Sequence, residues 1–309
     1  MQELSVVVPC FNEEETLPLF IEEVEKISEE MEVETIYYFV NDGSTDQTLN
    51  VLRELAQENT RIRYLSFSRN FGKESALLAG LKAAKGEFVT VMDADLHDPP
   101  HLLPEMLRLI CEENYDVVGT MRLGRKGEPP IRSWFAEAFY KLINNISDTK
   151  MVDGARDFRL MTRQVVDAIL ELKEVNRFSK GLFSWVGFKT TYLSFENRKR
   201  IAGETSWSFW NLFKYSLEGI INFSEAPLNI ATFIGVISCL ISFFAMLFYF
   251  IRDFFWDNPV SGWTSTACII LFIGGLQLFC LGIIGKYLGK VFLEVKKRPV
   301  YLIKEKNFD

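Results

Sequence analysis

The stretch FVTVMDADLHDPP, Phe88 to Pro100, passes abruptly from an apolar run to a cluster of carboxylates. Phe88 to Met92 is short and valine-rich, which predicts a strand, and Asp93, Asp95 and Asp98 follow where that strand would end. The same change recurs upstream. Leu4 to Val8, Thr35 to Val40 and Ile62 to Ser66 read as strands, followed by Asn12 and Glu13, by Asn41 to Asp46, and by Arg69 and Asn70. Asp116 to Thr120 reads as a further strand, and helical patterns fill Glu13 to Glu30, Thr45 to Glu58, Lys73 to Ala84 and His101 to Glu113. Such alternation requires an α/β fold with a mostly parallel sheet. Ligands of open α/β sheets bind outside the carboxyl ends of the strands, so the polar clusters are expected to line one crevice.

Beyond this region the pattern changes. Gly124 to Pro130 reads as a loop, and Ile131 to Ile146 as an amphipathic helix, equally a core helix or a membrane-surface one. Trp207 to Phe223 is a second amphipathic stretch, for which an interfacial place is favoured because a long apolar segment follows at once. Ala226 to Ile251 and Asn258 to Gly285 contain no Asp, Glu, Lys or Arg, and each exceeds the roughly 20 residues that cross a hydrocarbon core. Phenylalanines lie on all sides of these segments, and Trp256 and Trp263 flank the connector, as in an aromatic belt. Lys286, Lys290, Lys296, Lys297 and Arg298 follow the second span, which predicts a cytoplasmic C-terminus. A two-span hairpin then puts the N-terminal domain on the same face of the plasma membrane, and Met1 to Pro9 lacks the pattern of a signal peptide. The expected organisation is an α/β domain over 1–205, a juxtamembrane helix over 206–226, two membrane helices over 227–290 and a cytoplasmic tail over 291–309.

Composition narrows the function. A net charge of −7 gives no support for nucleic-acid binding, and five unpaired-looking cysteines with two histidines speak against a disulfide framework or a zinc site. The GKES at Gly72 to Ser75 lacks the upstream glycine and the adjacent Ser/Thr of a phosphate-binding P-loop, and no GxGxxG follows the first strand. Carboxylates two apart at a strand end can both reach one divalent cation that holds a diphosphate, so Asp93 and Asp95, with His97 directly or through water, are candidate ligands of Mg2+ or Mn2+. Taken singly, such residues are as often turns or helix caps. NDGSTDQT, Asn41 to Thr48, supplies Asp42, a Gly-Ser turn and Asp46, and VPCFNEEE, Val8 to Glu15, closes the first strand.

Together these motifs resemble the GT-A fold of family 2 glycosyltransferases. The resemblance extends through FSRNFGKESALLAGL, GTMR at Gly119 to Arg122, DGARDFRLM at Asp153 to Met161 and ENRKRIAGETSWS at Glu196 to Ser208, covering nearly the whole chain. It is to polyprenyl-phosphate glycosyltransferases, the group that includes dolichyl-phosphate mannose synthases and bacterial undecaprenyl-phosphate glucosyltransferases. The resemblance implies that Pro9, Asn12, Glu13 and Asp42 line a nucleoside pocket, while Asp93 and Asp95 carry the metal to the donor diphosphate. Asn41 departs from it, standing where relatives commonly have Asp.

Polyprenyl phosphate, the implied acceptor, is already anionic, so positioning and charge compensation should outweigh base catalysis. Arg122 is assigned to the donor diphosphate, and Arg132, Arg198 and Arg200 to the acceptor phosphate, since guanidinium grips phosphate bidentately; for any one of them a solvated face is the equal alternative. Asp157 corresponds to the family's base or positioning group, the alternative being a structural salt bridge to a nearby arginine such as Arg159. The implied reaction is inverting transfer of a hexose, with UDP-glucose first and UDP-N-acetylglucosamine or GDP-mannose next, by an enzyme that self-associates. A processive polysaccharide synthase is the rival enzyme reading, but QxxRW is missing and two spans cannot enclose a polymer channel. A non-catalytic membrane scaffold is the rival of another class.

Overall fold

The computed structural model describes residues 2–123, 130–147, 149–195, 209–255 and 262–309. Four strands, β1 (Glu3–Cys10), β2 (Glu34–Asn41), β3 (Ile62–Phe67) and β4 (Phe88–Val91), run parallel in the order β3-β2-β1-β4. They are nearly continuous in Val, Ile, Tyr and Phe because both faces are covered. Alternate side chains serve opposite layers. Leu4, Val6 and Val8 of β1 join Tyr37 and Phe39 of β2 in one core, under α1 (Thr16–Ser28), α2 (Thr48–Glu58) and α4 (Leu103–Glu113). Val7, Ile36 and Tyr38 point the other way, under α3 (Lys73–Ala83) and α6 (Arg163–Glu171). Helix α3 lies so close to β1 that a Cβ on Gly80 would stand 2.2 Å from Val7 Cγ1.

The sheet continues beyond β4 through β6 (Ala155–Thr162), β5 (Val117–Arg122) and β7 (Thr190–Phe195), and beyond β3 through β8 (Ile303–Lys306). Strands β6 and β8 run against the rest, so six of these eight strands share one direction. The predicted strands and helices of the first 120 residues are all present. Three helices begin later than expected: Leu103 replaces His101 after a 3-10 turn, and Thr16 and Thr48 replace Glu13 and Thr45, because residues before these two bond across loops instead of along the helix.

Helix α5 (Pro130–Ile146) packs inward: Ile143 is fully buried with Met151 and Phe178, and Phe139 and Ile146 join them against Phe223 of α8 (Phe209–Phe223). Of its two readings the core one describes these residues, while Phe135 and Leu142 remain exposed. Helices α9 (Ala226–Phe255) and α10 (Trp263–Lys296) are long and apolar enough to cross a membrane, with mean hydropathy of 2.1 and 2.0 in their most apolar segments. Phe233, Phe244, Leu271, Phe272 and Leu278 are each more than half exposed, and no water-facing helix would expose so much apolar surface unpartnered.

Helix α10 runs six residues past the expected hairpin boundary at 290, and the expected tail carries β8. Leu65 and Ser66 of β3 pair with Lys306 and Glu305. Tyr301 stacks on Phe67 with ring centroids 5.0 Å apart, and Phe308 meets Tyr38 edge-on. Glu305 takes two bonds from Arg53, at 2.8 and 2.5 Å, and one from Tyr64 at 2.7 Å. These bonds from Arg53 and Tyr64 hold the Glu305 carboxyl down at about 2. A carboxyl lowered on folding contributes stability above its unfolded pKa and loses it as pH falls toward the folded value. Glu305→Gln is expected to lower stability by about 1 kcal/mol at neutral pH, a loss that shrinks as pH falls through about 2. Denaturation midpoints followed across that range check this; equal losses at both ends would contradict it.

Candidate active site at the carboxyl ends of the strands

The order in which strands are added to the sheet reverses at β1, since β2 lies on one side and β4 on the other, and the crevice opens there. The loops after β1, β2 and β3 are tied into one wall. Asn12, with φ of +57°, accepts the Thr45 N–H at 2.9 Å through Oδ1, and its own N–H donates to Ser44 Oγ at 3.0 Å. The Glu13 N–H donates to Thr48 Oγ1 at 2.8 Å, and Pro9 sits half-buried at the end of β1. Buried Asn41 donates to Ser66 Oγ at 2.9 Å, joining β2 to β3. Asp42 is buried and accepts the N–H groups of Phe71 at 2.7 Å and Gly72 at 2.9 Å. Burial pushes its carboxyl up, and those two N–H groups pull it back. Its immediate task is thus to fix the turn that starts α3. Gly43, at φ +65°, has no room for a side chain: a Cβ would lie 2.3 Å from the Arg69 carbonyl carbon.

The opposite wall comes from β4 and β6. Their antiparallel register pairs Val91 with Arg159, and continued by two residues it sets Asp93 against Asp157. Facing carboxylates repel. Lys73, the first residue of α3, resolves the repulsion: its Nζ lies 2.6 and 2.9 Å from the two Asp93 oxygens and 2.7 Å from Asp157 Oδ2. Burial pushes the ammonium down, but Asp157 and Asp93 outweigh it and leave Lys73 well above the usual lysine range. Asp157 shows the reverse: burial raises its carboxyl, while Lys73, Lys180 and Arg159 together hold it well below the usual carboxylate range.

Sequence reasoning missed Lys73, although the GKES motif was in view. Its partners lie 20 and 84 positions away, and no local pattern announces such a contact. The alternative role for Asp157, a salt bridge to Arg159, is not what this carboxylate makes. Arg159 is buried, donates to the carbonyls of Asp157 and Arg156 at 3.3 and 2.8 Å, and lies 3.8 Å from the Phe183 ring centroid.

In the loop after β4, Asp95 Oδ1 accepts the His97 N–H at 3.1 Å, closing a tight turn. Buried Asp98 accepts Arg156 Nε at 2.9 Å, which pins this loop to β6. Burial pushes the Asp98 carboxyl up to about 6 against the pull of Arg156. Among the described residues no three His, Cys, Asp or Glu side chains gather closely enough to hold a metal by themselves, so Asp93, Asp95 and His97 do not form a closed cage. Arg122 ends β5 at the same rim, its N–H donating to the carbonyl of Gly154 at 3.1 Å. Arg132 falls in the first turn of α5, and its side chain, like Arg198 and Arg200, lies outside the described residues.

A site built on a strand-end aspartate pair within a mostly parallel sheet invites comparison with known proteins, and the model described as glycosyl transferase family 2 matches residues 5–170. The chain belongs to glycosyltransferase family 2. Relatives of this family 2 enzyme include the SfII prophage-derived bactoprenol glucosyl transferase of Shigella flexneri, 41% identical over 98% of this chain and 98% of that one. A prophage bactoprenol glucosyl transferase homolog of Escherichia coli (strain K12) is 40% identical over 97% of this chain and 98% of its own. Among solved structures, mannosyl-3-phosphoglycerate synthase from Rubrobacter xylanophilus superposes with a TM-score of 0.51 at 17% identity, over 71% of this chain and 72% of that one. That likeness is one of fold, and the fold of this glycosyltransferase is GT-A.

Proposed function

We propose that this glycosyltransferase moves glucose, from UDP-glucose first among nucleotide donors, onto a polyprenyl phosphate at the cytoplasmic membrane face, with inversion at the anomeric carbon. The observation that carries the reading is the Asp93–Lys73–Asp157 constellation at the strand ends, in a chain aligned end to end with bactoprenol glucosyl transferases. The oxygen donors of Asp93 and Asp95 suit Mg2+ or Mn2+, which are commonly held by one or two carboxylates with substrate phosphates completing the shell. That no third ligand clusters with them among the described residues fits that arrangement. When bound, such an ion neutralises the leaving diphosphate.

The chain's own residues do the rest. Asn12, Glu13 and Asp42 brace the wall beside which the nucleoside would lie. Asp157, kept ionised by Lys73, would face the anomeric centre and stabilise the positive charge that develops there. An acceptor phosphate needs no deprotonation, so a strong base is not required. Arg122 from the rim, with Arg132, Arg198 and Arg200, would balance the charge of two phosphate compounds.

Placement at the bilayer is supported by how α10 meets the catalytic domain. Lys290 Nζ donates to Asn176 Oδ1 at 2.6 Å, and Glu294 Oε1 accepts the Val175 N–H at 2.8 Å. Tyr287 OH donates to the Ser224 carbonyl at 2.6 Å, and β8 rejoins the sheet soon after. The basic end of the hairpin and the GT-A domain thus lie together, as a cytoplasmic site beside its lipid acceptor requires.

Purified full-length protein in lipid nanodiscs, given undecaprenyl phosphate and labelled UDP-glucose, UDP-N-acetylglucosamine or GDP-mannose, tests the reading by thin-layer analysis. One glucose per lipid with inverted configuration is expected. A polymer, a retained linkage, or transfer from another donor alone would displace it.

A further inference from the structure

Lys73 is not a loose surface lysine. The turn before it is locked by Asp42 on the N–H groups of Phe71 and Gly72, and Gly72 takes φ of +96°. The next residue, Glu74, is gripped by the N–H of Ser179 at 3.0 Å and by its hydroxyl, which fixes α3 to α7 (Ser179–Trp185). From this rigid base the ammonium spends its three donors on three carboxylate oxygens, two of Asp93 and one of Asp157. The side chain is still 43% exposed, so its flexible stem has room to withdraw.

We propose that Lys73 is a placeholder cation, which holds Asp93 and Asp157 together until the donor arrives and so prevents a divalent cation from binding without a nucleotide diphosphate. The inference rests on the metal-dependent reading above. An ion arriving alone must displace an ammonium that engages both oxygens of Asp93, and it meets that ammonium's repulsion as well. An ion arriving with a diphosphate brings the negative charge that offsets this repulsion, and Lys73 is then left with Asp157. The result is coupled entry of metal and donor, with Asp157 never left without a cation.

Mn2+ binding to the full chain in nanodiscs, followed by electron paramagnetic resonance, gives a readout independent of turnover. The unmodified protein is expected to bind Mn2+ weakly alone and about tenfold or more tightly with UDP. Lys73→Met should bind Mn2+ without UDP about tenfold more tightly than the unmodified protein, and Lys73→Arg should not. Adding Asp93→Asn to Lys73→Met should remove the gain. Lys73→Gln provides the same loss of charge with a polar side chain, should the Met variant fold poorly. Tight Mn2+ binding to the unmodified protein without UDP overturns the proposal, whatever the variants do. So does an unchanged affinity in Lys73→Met and Lys73→Gln while UDP still promotes binding to the unmodified protein. If Mn2+ binds none of these proteins even with UDP, the metal-dependent reading fails and takes this inference with it.

Discussion

Asp157→Asn is expected to reduce kcat by about a thousandfold or more while changing the donor KM by less than about fivefold. The substitution keeps the shape of the side chain and removes its charge. In the native site that charge is opposed by Lys73 at 2.7 Å, with Lys180 and Arg159 near enough to act on it. Burial alone would favour the neutral acid, but these cations outweigh it, so the group stays a carboxylate throughout the neutral range. In the proposed site Asp157 would lie beside the anomeric centre, where an ionised aspartate stabilises positive charge that exists only in the transition state, so its loss should fall on kcat. The remaining effect on KM comes from Lys73, which relaxes wholly onto Asp93. Because Asp157 does not titrate near neutrality, the native rate should show no inflection from it between about pH 6 and 8. Steady-state kinetics decide the matter. A variant within tenfold of normal turnover would reduce Asp157 to a structural partner of Lys73.

Deleting Tyr301 to Asp309 is expected to destabilise the catalytic domain by about 4 kcal/mol, a large share of what a domain typically has. The deletion removes the stack of Tyr301 on Phe67, the contact of Phe308 with Tyr38, and the bonds from Arg53 and Tyr64 to Glu305. It also bares the backbone edge of β3, which Asn307 now helps to satisfy by accepting the Tyr64 N–H at 2.7 Å. An open edge of this kind recruits other chains. Thermal unfolding and size-exclusion chromatography in detergent should therefore show a lower melting temperature together with aggregation. A truncated protein that melts normally and runs as a single species would show that β8 merely covers the edge.

The parts of the fold that were legible in the sequence are those where the residues state their own environment. Val6, Val7 and Val8, or Tyr37 through Val40, can only be buried strand, and two long uncharged segments can only be apolar helices. Strand β6 was hidden for the opposite reason: Arg156, Asp157 and Arg159 are poor material for the middle of a sheet. They are tolerated because each finds a partner: Asp98 for Arg156, Lys73 for Asp157, and for Arg159 two carbonyls of its own strand together with the Phe183 ring. Strand β8, with the sequence IKEK, is likewise charged, and pairs with a strand more than 230 positions upstream.

By itself the sequence determined the α/β order, the strand ends that carry Asn12, Asp42, Asp93 and Asp95, and the apolar hairpin, because hydrophobic period and turn chemistry are local properties. Only the tertiary structure decided that Asp93 and Asp157 oppose each other, that Lys73 stands between them, and that the chain beyond the hairpin closes the sheet. Those are facts of register and of long-range electrostatics. Register is set by how strands from distant parts of the chain pack, and an ammonium finds its carboxylates only after that packing has brought them within reach.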